Sequence, residues 1–314
     1  MNTKINKLKK ILPSLKGLMK PCRLCPRRCG GSRSSHDGCY CRAGIKPAVY
    51  SHGPHHGEEP PLSGVSGSGT IFFTHCNMSC IYCQNHAFSQ ESDEGPVTIE
   101  QLAGIMLNLR EIGCHNINLV SPTHYVPQIA EAILIALEDG LDVPIVYNTG
   151  GYDSPEVIKM LDGIVDVYLP DMRYSDDGLA EKYSNAPGYV GVNRACVREM
   201  QGQVGDLTLD ADGIAVRGMI IRCLVMPGGV SGTCETLSFI SEHVSRNAYV
   251  SLMSQYYPVY RAAEFPEISR RITDEEYLKC VEALGASGLG NGWVQSAPSG
   301  MDARWGGHRI RPKH

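Results

Sequence analysis

Short apolar runs alternate with amphipathic helical patterns from about residue 71 onward, and this alternation constrains the fold more than any other feature of the chain. Continuous apolar strands separated by helices form a parallel sheet that is buried on both faces, with right-handed crossovers. The sequence therefore predicts an α/β fold, a partial (β/α)6 barrel of the TIM type. The six strands are expected at 71–73, 117–120, 145–147, 164–169, 219–225 and 249–253.

Helix starts and one hairpin can be placed from local signals. Thr98 with Gln101 three residues later has the pattern of a capping box, and Ser154 before Pro155 has the pattern of an N-cap followed by proline in the first turn. Asp212-Gly213 is a turn signal that predicts a hairpin over 207–216, before the fifth strand. Three further helices are expected to open near Pro127, Thr233 and Thr273.

We divide the chain into three regions: 1–65, 66–296 and 297–314. The first twenty residues carry six lysines and apolar residues at helical spacing, interrupted by Pro13 and Gly17, which predicts a helix docked on the protein rather than on a membrane surface. Residues 21–65 are rich in Cys, Gly, Pro and Ser and have no period, so we expect an irregular module held by metal. The third region is expected to be a polar, solvated tail.

Charge and targeting signals limit the partners of the protein. The formal net charge is -4 and the pI is about 6.3, which favours a small-molecule or protein substrate over nucleic acid or a membrane surface. The chain shows no secretory leader pattern and no run of about 18 apolar residues, so we expect a cytoplasmic protein with reduced thiols. Of its 13 cysteines, eight lie in two clusters between Cys22 and Cys83, which indicates metal binding.

The central motif is Cys76-x3-Cys80-x2-Cys83, placed directly after the first predicted strand. Ligands of parallel α/β folds gather at the carboxyl ends of strands. A zinc site usually takes four ligands, and a 4Fe-4S cluster held by three thiolates has one iron left open. That iron can chelate the amino and carboxylate groups of S-adenosylmethionine (SAM), whose reductive cleavage gives methionine and a 5′-deoxyadenosyl radical.

These residues resemble the radical SAM proteins called pyruvate formate-lyase activating enzyme-like, or PflX. The resemblance extends from residue 22 to residue 292 and implies a radical SAM barrel with a 4Fe-4S cluster, SAM and an electron donor such as flavodoxin or ferredoxin. Two positions depart from the family pattern, since Arg173 stands where Lys is usual and Cys223 where His is usual. The shared segments are CRLCPRRC at 22–29, HGEEPPLSG at 56–64, GTIFF at 69–73, SPTH at 121–124, YNTGGY at 147–152, YLPD at 168–171 and MSQY at 253–256.

The ends of the later strands are expected to contact SAM. Tyr82 would pack against the adenine, and the strand ends would contribute polar groups and glycines that permit close approach. For the strand-end residues an ordinary turn, a helix cap or a structural ion pair between Arg222 and Asp171 is the alternative. The candidate cofactor-binding residues are Tyr82, Ser121, Thr123, Asn148, Gly150, Gly151, Asp171 and Arg222; the candidate catalytic residues are His56, Glu58 and Cys223.

For the N-terminal module, the resemblance points to Cys22, Cys25, Cys29 and Cys39 as a second metal site, with Cys41 spare or an alternative fourth ligand. Four thiolates suit either zinc or a 4Fe-4S cluster, so both remain open. Two functions follow from the resemblance: activation of a glycyl radical enzyme by hydrogen abstraction, or modification of a small molecule or of a peptide or protein side chain. A non-enzymatic metal-binding scaffold is a third hypothesis.

Overall fold

The computed structural model describes residues 2–34, 38–92 and 95–296, and the backbone of 308–309. The described helices are α1 (Asn2–Gly17), α2 (Pro60–Ser63), α3 (Ile99–Glu111), α4 (Val126–Glu138), α5 (Pro155–Met160), α6 (Asp177–Ser184), α7 (Tyr189–Val204), α8 (Thr233–His243) and α9 (Asp274–Ala286). The described strands are β1 (Val49–His55), β2 (Ser68–Phe73), β3 (Ile117–Val120), β4 (Ile145–Thr149), β5 (Val167–Pro170), β6 (Thr208–Leu209), β7 (Ala215–Leu224), β8 (Tyr249–Met253), β9 (Asn291–Val294) and β10 (His308–Arg309).

The strands form one sheet whose central part is parallel, in the order β2-β3-β4-β5-β7-β8-β9. Helices connect the parallel strands, so the predicted α/β fold is confirmed. β9 adds a parallel strand to the six that were predicted. β1 pairs antiparallel with β2 at one edge, and β10 pairs antiparallel with β9 at the other.

Two capping boxes and one hairpin form in the structure. Thr98 and Gln101 form a capping box at α3, and α9 begins with a second capping box at Thr273. Ser154 precedes α5 but makes no side-chain cap hydrogen bond, and Gly232 takes the N-cap position of α8. The predicted hairpin is confirmed, because β6 pairs antiparallel with the start of β7.

The N-terminal helix α1 is docked on the barrel. Leu8, Leu12 and Leu15 are buried on its inner face. Lys4 forms an ion pair with Asp166 at 2.5 Å, and Lys16 pairs with Glu131 of α4 at 2.6 Å. Pro13 and Gly17 were expected to interrupt this helix. Instead it continues through Pro13 and ends at Gly17.

No helix in the described part of the chain is long and apolar enough to cross a membrane. The predicted tail at 297–314 lies outside the described residues, apart from the short backbone segment of β10.

Candidate active site

The loop that carries the central cysteine motif follows β2 and is held by hydrogen bonds on either side of Cys80. The backbone N–H groups of Ser79 and Ile81 donate to the carbonyls of Ser184 and Tyr183, at 3.0 Å each. The carbonyl of Ile81 accepts from the N–H of Arg261 at 2.9 Å. These bonds attach the loop to the end of α6 and to the segment after β8, so the backbone that carries the thiols is fixed in position.

Hydrogen-bond donors surround the three thiols of this loop. The N–H of Met78 donates to Cys76 Sγ at 3.4 Å, and Cys83 Sγ lies 3.3 Å from Ser89 Oγ. Cys80 Sγ accepts from the hydroxyl of Ser184 at 3.0 Å and from the guanidinium of Arg173 at 3.4 Å. Such donors stabilise negative charge on sulfur and tune iron–sulfur ligands.

Burial, and after it the nearby Cys80, raise the pKa of Cys76 to about 12. Burial also raises the pKa of Cys83, again with Cys80 as the next contribution. A buried thiolate is stable only where a positive charge compensates for the water that it loses. The environment of the motif therefore suits cysteines that are deprotonated by a bound metal.

A cleft of about 170 Å³ opens beside the motif, at the carboxyl ends of the parallel strands. Tyr82 and Tyr256 form one side of it, with ring centroids 5.8 Å apart, and the hydroxyl of Tyr82 lies 2.7 Å from that of Tyr174. Arg173 and Arg222 also line the cleft. Aromatic faces and paired charges therefore meet in one concave place, as is typical of cofactor sites.

Four charged side chains, which we call the charged ladder, extend from the barrel interior to the cluster loop: Glu58, Arg222, Asp171 and Arg173. Arg222 Nε donates to Asp171 Oδ1 at 2.7 Å, and its Nη1 lies 3.6 Å from Glu58 Oε2. Arg173 donates to Asp171 Oδ2 from Nε at 3.1 Å and from Nη2 at 2.5 Å. Since Arg173 also reaches Cys80, the ladder connects the barrel interior to a thiol of the motif.

The pKa values of the buried carboxylates of this region shift in opposite directions. Burial raises the pKa of Asp171, but Arg222 and Arg173 outweigh it and hold that pKa below its usual value. Burial raises the pKa of Glu58 against the opposing effect of Arg222. The neighbouring Glu59 has a pKa raised to about 7, for the same reason. Asp171 is therefore ionised, whereas Glu59 can hold or release a proton near neutral pH.

Comparison with known proteins agrees with this geometry. The family model of the radical SAM superfamily matches residues 70–187, which contain the cysteine motif and Asp171. The uncharacterized protein MJ0674 of Methanocaldococcus jannaschii is 31% identical over 303 residues, covering 90% of this chain and 81% of that protein. The chain belongs to the radical SAM superfamily.

Solved structures resemble this radical SAM enzyme at low sequence identity. A radical SAM methyltransferase from Sphaerobacter thermophilus has a TM-score of 0.50 at 16% identity, over 76% of this chain and 69% of that one. The FeFe-hydrogenase maturase HydG from Carboxydothermus hydrogenoformans has a TM-score of 0.47 at 14% identity, over 68% of this chain and 49% of that one. The chain thus spans about half the length of HydG. The methyltransferase resemblance supports the fold and not a particular reaction.

A radical SAM enzyme uses a 4Fe-4S cluster and SAM, and the donor set of the motif fits the cluster. In such a cluster each thiolate binds a different iron, so the sulfurs stay farther apart than the ligands of one ion. Among the described residues, the one group of three metal-ligating side chains whose ligand atoms all lie within 4.8 Å of one another is Cys22, Cys29 and Cys39. The three sulfurs of the central motif therefore do not all lie within 4.8 Å of one another, unlike those of Cys22, Cys29 and Cys39.

Of the predicted SAM contacts, Tyr82, Asp171 and Arg222 line the cleft, and Asn148, Gly150 and Gly151 lie against its charged residues. Asn148 accepts from Arg222 Nη2 at 2.5 Å and so extends the charged ladder. A Cβ at Gly150 would lie 3.3 Å from Met78 Sδ of the cluster loop, so this glycine permits close approach. Gly151 has φ +78°, and a Cβ at this position would clash with the side chain of Asn193 and the carbonyl of Asp171.

The loop after β3 offers a ligand fewer free side-chain groups than the sequence predicted. The hydroxyl of Thr123 donates to Asp153 Oδ1 at 2.7 Å, so its side chain serves a buried structural carboxylate. Ser121 takes a φ of +57°, and its N–H donates to the carbonyl of Asn148 at 2.9 Å. These two residues can offer backbone groups to a ligand, and the Thr123 hydroxyl is committed elsewhere.

Of the three candidate catalytic residues, only Glu58 lies at the charged ladder. His56 is exposed on the connector between β1 and α2. Cys223 is fully buried, next to Arg222 on β7; because side chains alternate along a strand, its thiol faces the helix layer rather than the cleft. Glu59 joins the site, and the pair of adjacent glutamates before Pro60-Pro61 was the sequence signal for it.

Proposed function

We propose that this radical SAM enzyme abstracts a hydrogen atom from a substrate that enters the cleft beside Tyr82. The observation that carries the proposal is the cleft itself, which lies between the cysteine motif and the charged ladder at the carboxyl ends of the strands. When bound, the cluster and SAM supply the oxidising radical, through one-electron reduction of SAM to methionine and a 5′-deoxyadenosyl radical. A reductant is required, and flavodoxin or ferredoxin are the donors we favour.

The chain's own residues position the cofactors and keep water away. Cys76, Cys80 and Cys83 hold the cluster, and Arg173 donates to Cys80 from the ladder. Arg222 lines the cleft while paired with Asp171, Asn148 and Glu58, and its guanidinium has more N–H groups than these three contacts use, so a carboxylate of SAM can bind it there. The aromatic pair Tyr82–Tyr256 supplies an apolar face for a purine ring.

A peptide loop of a partner protein is the substrate that we favour, including the glycine of a glycyl radical enzyme. Tyr257 and Tyr260 are exposed immediately after the cleft residue Tyr256. The ring of Tyr260 stacks on His86 at 4.8 Å, next to the cleft residue Asn85. Exposed tyrosines beside a cleft are typical of surfaces that recognise proteins.

A small polar substrate is the second candidate, and the interior of the barrel favours it. Glu58 and Glu59 are buried against Arg222, and the pKa of Glu59 is raised to about 7 by burial. Such a carboxyl can exchange a proton with a polar group of a substrate or radical intermediate. A peptide glycine needs no such group, so the buried glutamates distinguish the two candidates.

The enzyme class is tested by anaerobic reconstitution with iron and sulfide, followed by electron paramagnetic resonance and assay of 5′-deoxyadenosine with dithionite as reductant. We expect the reduced-cluster signal to change on addition of SAM and 5′-deoxyadenosine to form. Cys80→Ser should abolish both, whereas Cys234→Ser, which alters a thiol of α8, should leave both intact. A wild-type cluster that is indifferent to SAM would contradict the proposal and favour a metal-binding scaffold.

The two substrates are separated by the double variant Tyr257→Ala/Tyr260→Ala and by Glu59→Gln. The tyrosine variant should lower turnover of a protein substrate and leave that of a small substrate unchanged. Glu59→Gln should have the opposite pattern. Uncoupled cleavage of SAM without substrate serves as the reference in both cases, since neither change touches the cysteine motif.

A further inference from the structure

The N-terminal module brings its cysteines together by backbone contacts that do not involve the central motif. The N–H of Cys22 donates to the carbonyl of Gly31 at 3.3 Å, and the N–H of Gly30 donates back to the carbonyl of Cys22 at 3.0 Å. This pairing folds Cys29 onto Cys22. A Cβ at Gly31 would lie 1.7 Å from the Gly38 carbonyl oxygen and 2.9 Å from Cys39 Sγ, so only glycine lets the third thiol approach.

The spacing of these thiols distinguishes the two metals that suit four cysteines. Cys22, Cys29 and Cys39 have their sulfurs within 4.8 Å of one another, and all three are free thiols. Ligands of one tetrahedral zinc ion, with Zn–S bonds of about 2.3 Å, lie about 3.8 Å apart. A cubic iron–sulfur cluster attaches each thiolate to its own iron and separates them further. The observed spacing is therefore that of a single shared ion.

A buried arginine gives independent evidence of an anionic group in the module. Arg33 is 2% exposed, and its Nη2 lies 3.5 Å from Cys22 Sγ. Its Nε has no hydrogen-bond partner among the described residues. A buried guanidinium with an unused donor requires a nearby negative charge. Four thiolates around a divalent ion carry a net charge of about -2, which supplies it.

Cys41 suits the fourth position better than Cys25. Cys41 is buried two residues beyond Cys39 and interacts electrostatically with Arg33, Cys22 and Cys29; its sulfur lies outside the group of three whose ligand atoms are all within 4.8 Å of one another, so it must move to complete the site. The thiol of Cys25 also interacts electrostatically with Cys41 and Cys22, but it accepts hydrogen bonds from the backbone of Arg27 and from the side chain of Asn77 in the central cluster loop. These hydrogen bonds favour Cys41 as the fourth ligand.

We infer that Cys22, Cys29, Cys39 and Cys41 bind one structural zinc ion, and that Cys25 is not a ligand. The ion holds the module against the cluster loop: Arg27 Nε donates to the carbonyl of Asn77 at 2.6 Å, and the hydroxyl of Tyr40 lies 2.7 Å from Ser79 Oγ. The module thus supports the loop that carries the catalytic cluster without itself transferring electrons. This inference does not depend on the substrate or on SAM cleavage.

The test is metal analysis of the full chain, produced with both zinc and iron present and then reconstituted anaerobically with iron and sulfide. We expect about one zinc and about four irons per chain, and four sulfur neighbours around zinc by X-ray absorption. About eight irons without zinc would overturn the inference, and so would a chain with neither zinc nor a second cluster.

Two matched substitutions test the ligand set. Cys41→Ser should lose zinc or leave it bound by three sulfurs, while Cys25→Ser should retain one zinc with four. Both should still hold about four irons, which shows that the barrel has folded. The ligand assignment fails if Cys25→Ser loses zinc, or if Cys41→Ser keeps a site with four sulfurs. Because the readout is metal content, its failure is distinct from any failure of SAM cleavage.

Discussion

At the scale of single residues, Arg222 compensates more buried negative charge than any other side chain described at the site. It pairs with Asp171 at 2.7 Å and approaches Glu58 at 3.6 Å, and all three side chains are largely buried. Removal of one partner from a buried ion pair leaves the other charge without compensation. The charged ladder is therefore a condition for folding as well as a part of the cleft.

Arg222→Met should lower the free energy of unfolding by about 3–5 kcal/mol, because it removes the cation paired with Glu58 and one of the two cations paired with Asp171. Urea unfolding at neutral pH measures the change. Arg217→Met is the matched control, since Arg217 lies on the same strand but is exposed; it should change stability by about 0.5 kcal/mol or less. Equal effects of the two substitutions would show that the buried pairs contribute nothing specific.

Glu59 makes stability depend on pH. Its pKa rises from 4.5 to about 7 on folding, because burial outweighs the attraction of Arg222, while Glu58 and Ser251 are its other close partners. The folded protein therefore binds more protons than the unfolded chain between these pH values. The free energy of unfolding falls as the pH rises through this window, by at most about 3 kcal/mol for one group.

Glu59→Gln should remove this dependence, so its stability relative to wild type should increase from about pH 4.5 to about pH 7 and then level off. Urea titrations at a series of pH values give the comparison. Glu111→Gln removes an exposed carboxylate of α3 and should give a nearly constant difference. If the difference in stability between Glu59→Gln and wild type did not change with pH, the pKa of Glu59 would be the same in the folded and unfolded protein.

The sequence predicted the site unevenly. The Cys76-x3-Cys80-x2-Cys83 spacing is local, so it could be recognised directly. The pairing of Arg222 with Asp171 was one of the alternatives considered, because a charged residue in an apolar strand needs a partner. The role of Glu59 depends on how the connector enters the barrel, and no local pattern specifies that path. Thr123 stays a predicted cofactor contact through its backbone, while its hydroxyl donates to Asp153, thirty residues later.

At the scale of elements, the capping box of α3 illustrates where local sequence is sufficient. The hydroxyl of Thr98 accepts from the N–H of Gln101 at 3.1 Å, and the side chain of Gln101 accepts from the N–H of Thr98 at 2.8 Å. Thr98→Ala should lower the free energy of unfolding by about 1 kcal/mol. Thr98→Ser keeps a hydroxyl at the N-cap and should retain most of the stability that the cap contributes. Thermal unfolding of the two variants checks this, and equal losses would contradict a capping role.

Elements that depend on neighbours were harder to predict. β9 is only four residues long and contains Gly292, whose φ of +119° lets it approach the backbone of Val250. β1 carries polar residues on an edge and has no clear alternation. Both strands owe their structure to pairing with β8 and β2, whereas β3, β4 and β8 could be recognised from their own apolar runs.

At the scale of the whole molecule, α1 attaches the start of the chain to the outer layer of the barrel. Leu8 is fully buried, and Leu8→Ala should lower the free energy of unfolding by about 2–5 kcal/mol. Lys10→Ala on the exposed face should have little effect. The comparison is made by urea unfolding, with binding to anionic vesicles measured in parallel. Vesicle binding by the wild type, together with an unchanged stability of Leu8→Ala, would favour a membrane-surface helix.

The docking of α1 also has a consequence for synthesis on the ribosome. Lys4 contacts Asp166, 162 residues later in the chain, so α1 cannot reach its final position until that part has been made. At ordinary translation rates this takes roughly 8–30 s. During that time the apolar stripe of α1 and the five thiols that follow it leave the ribosomal exit tunnel before the complete barrel is available to pack against them. Zinc capture by a nascent chain would protect the four ligand thiols first, and the oxygen-sensitive cluster could be inserted once the barrel had closed.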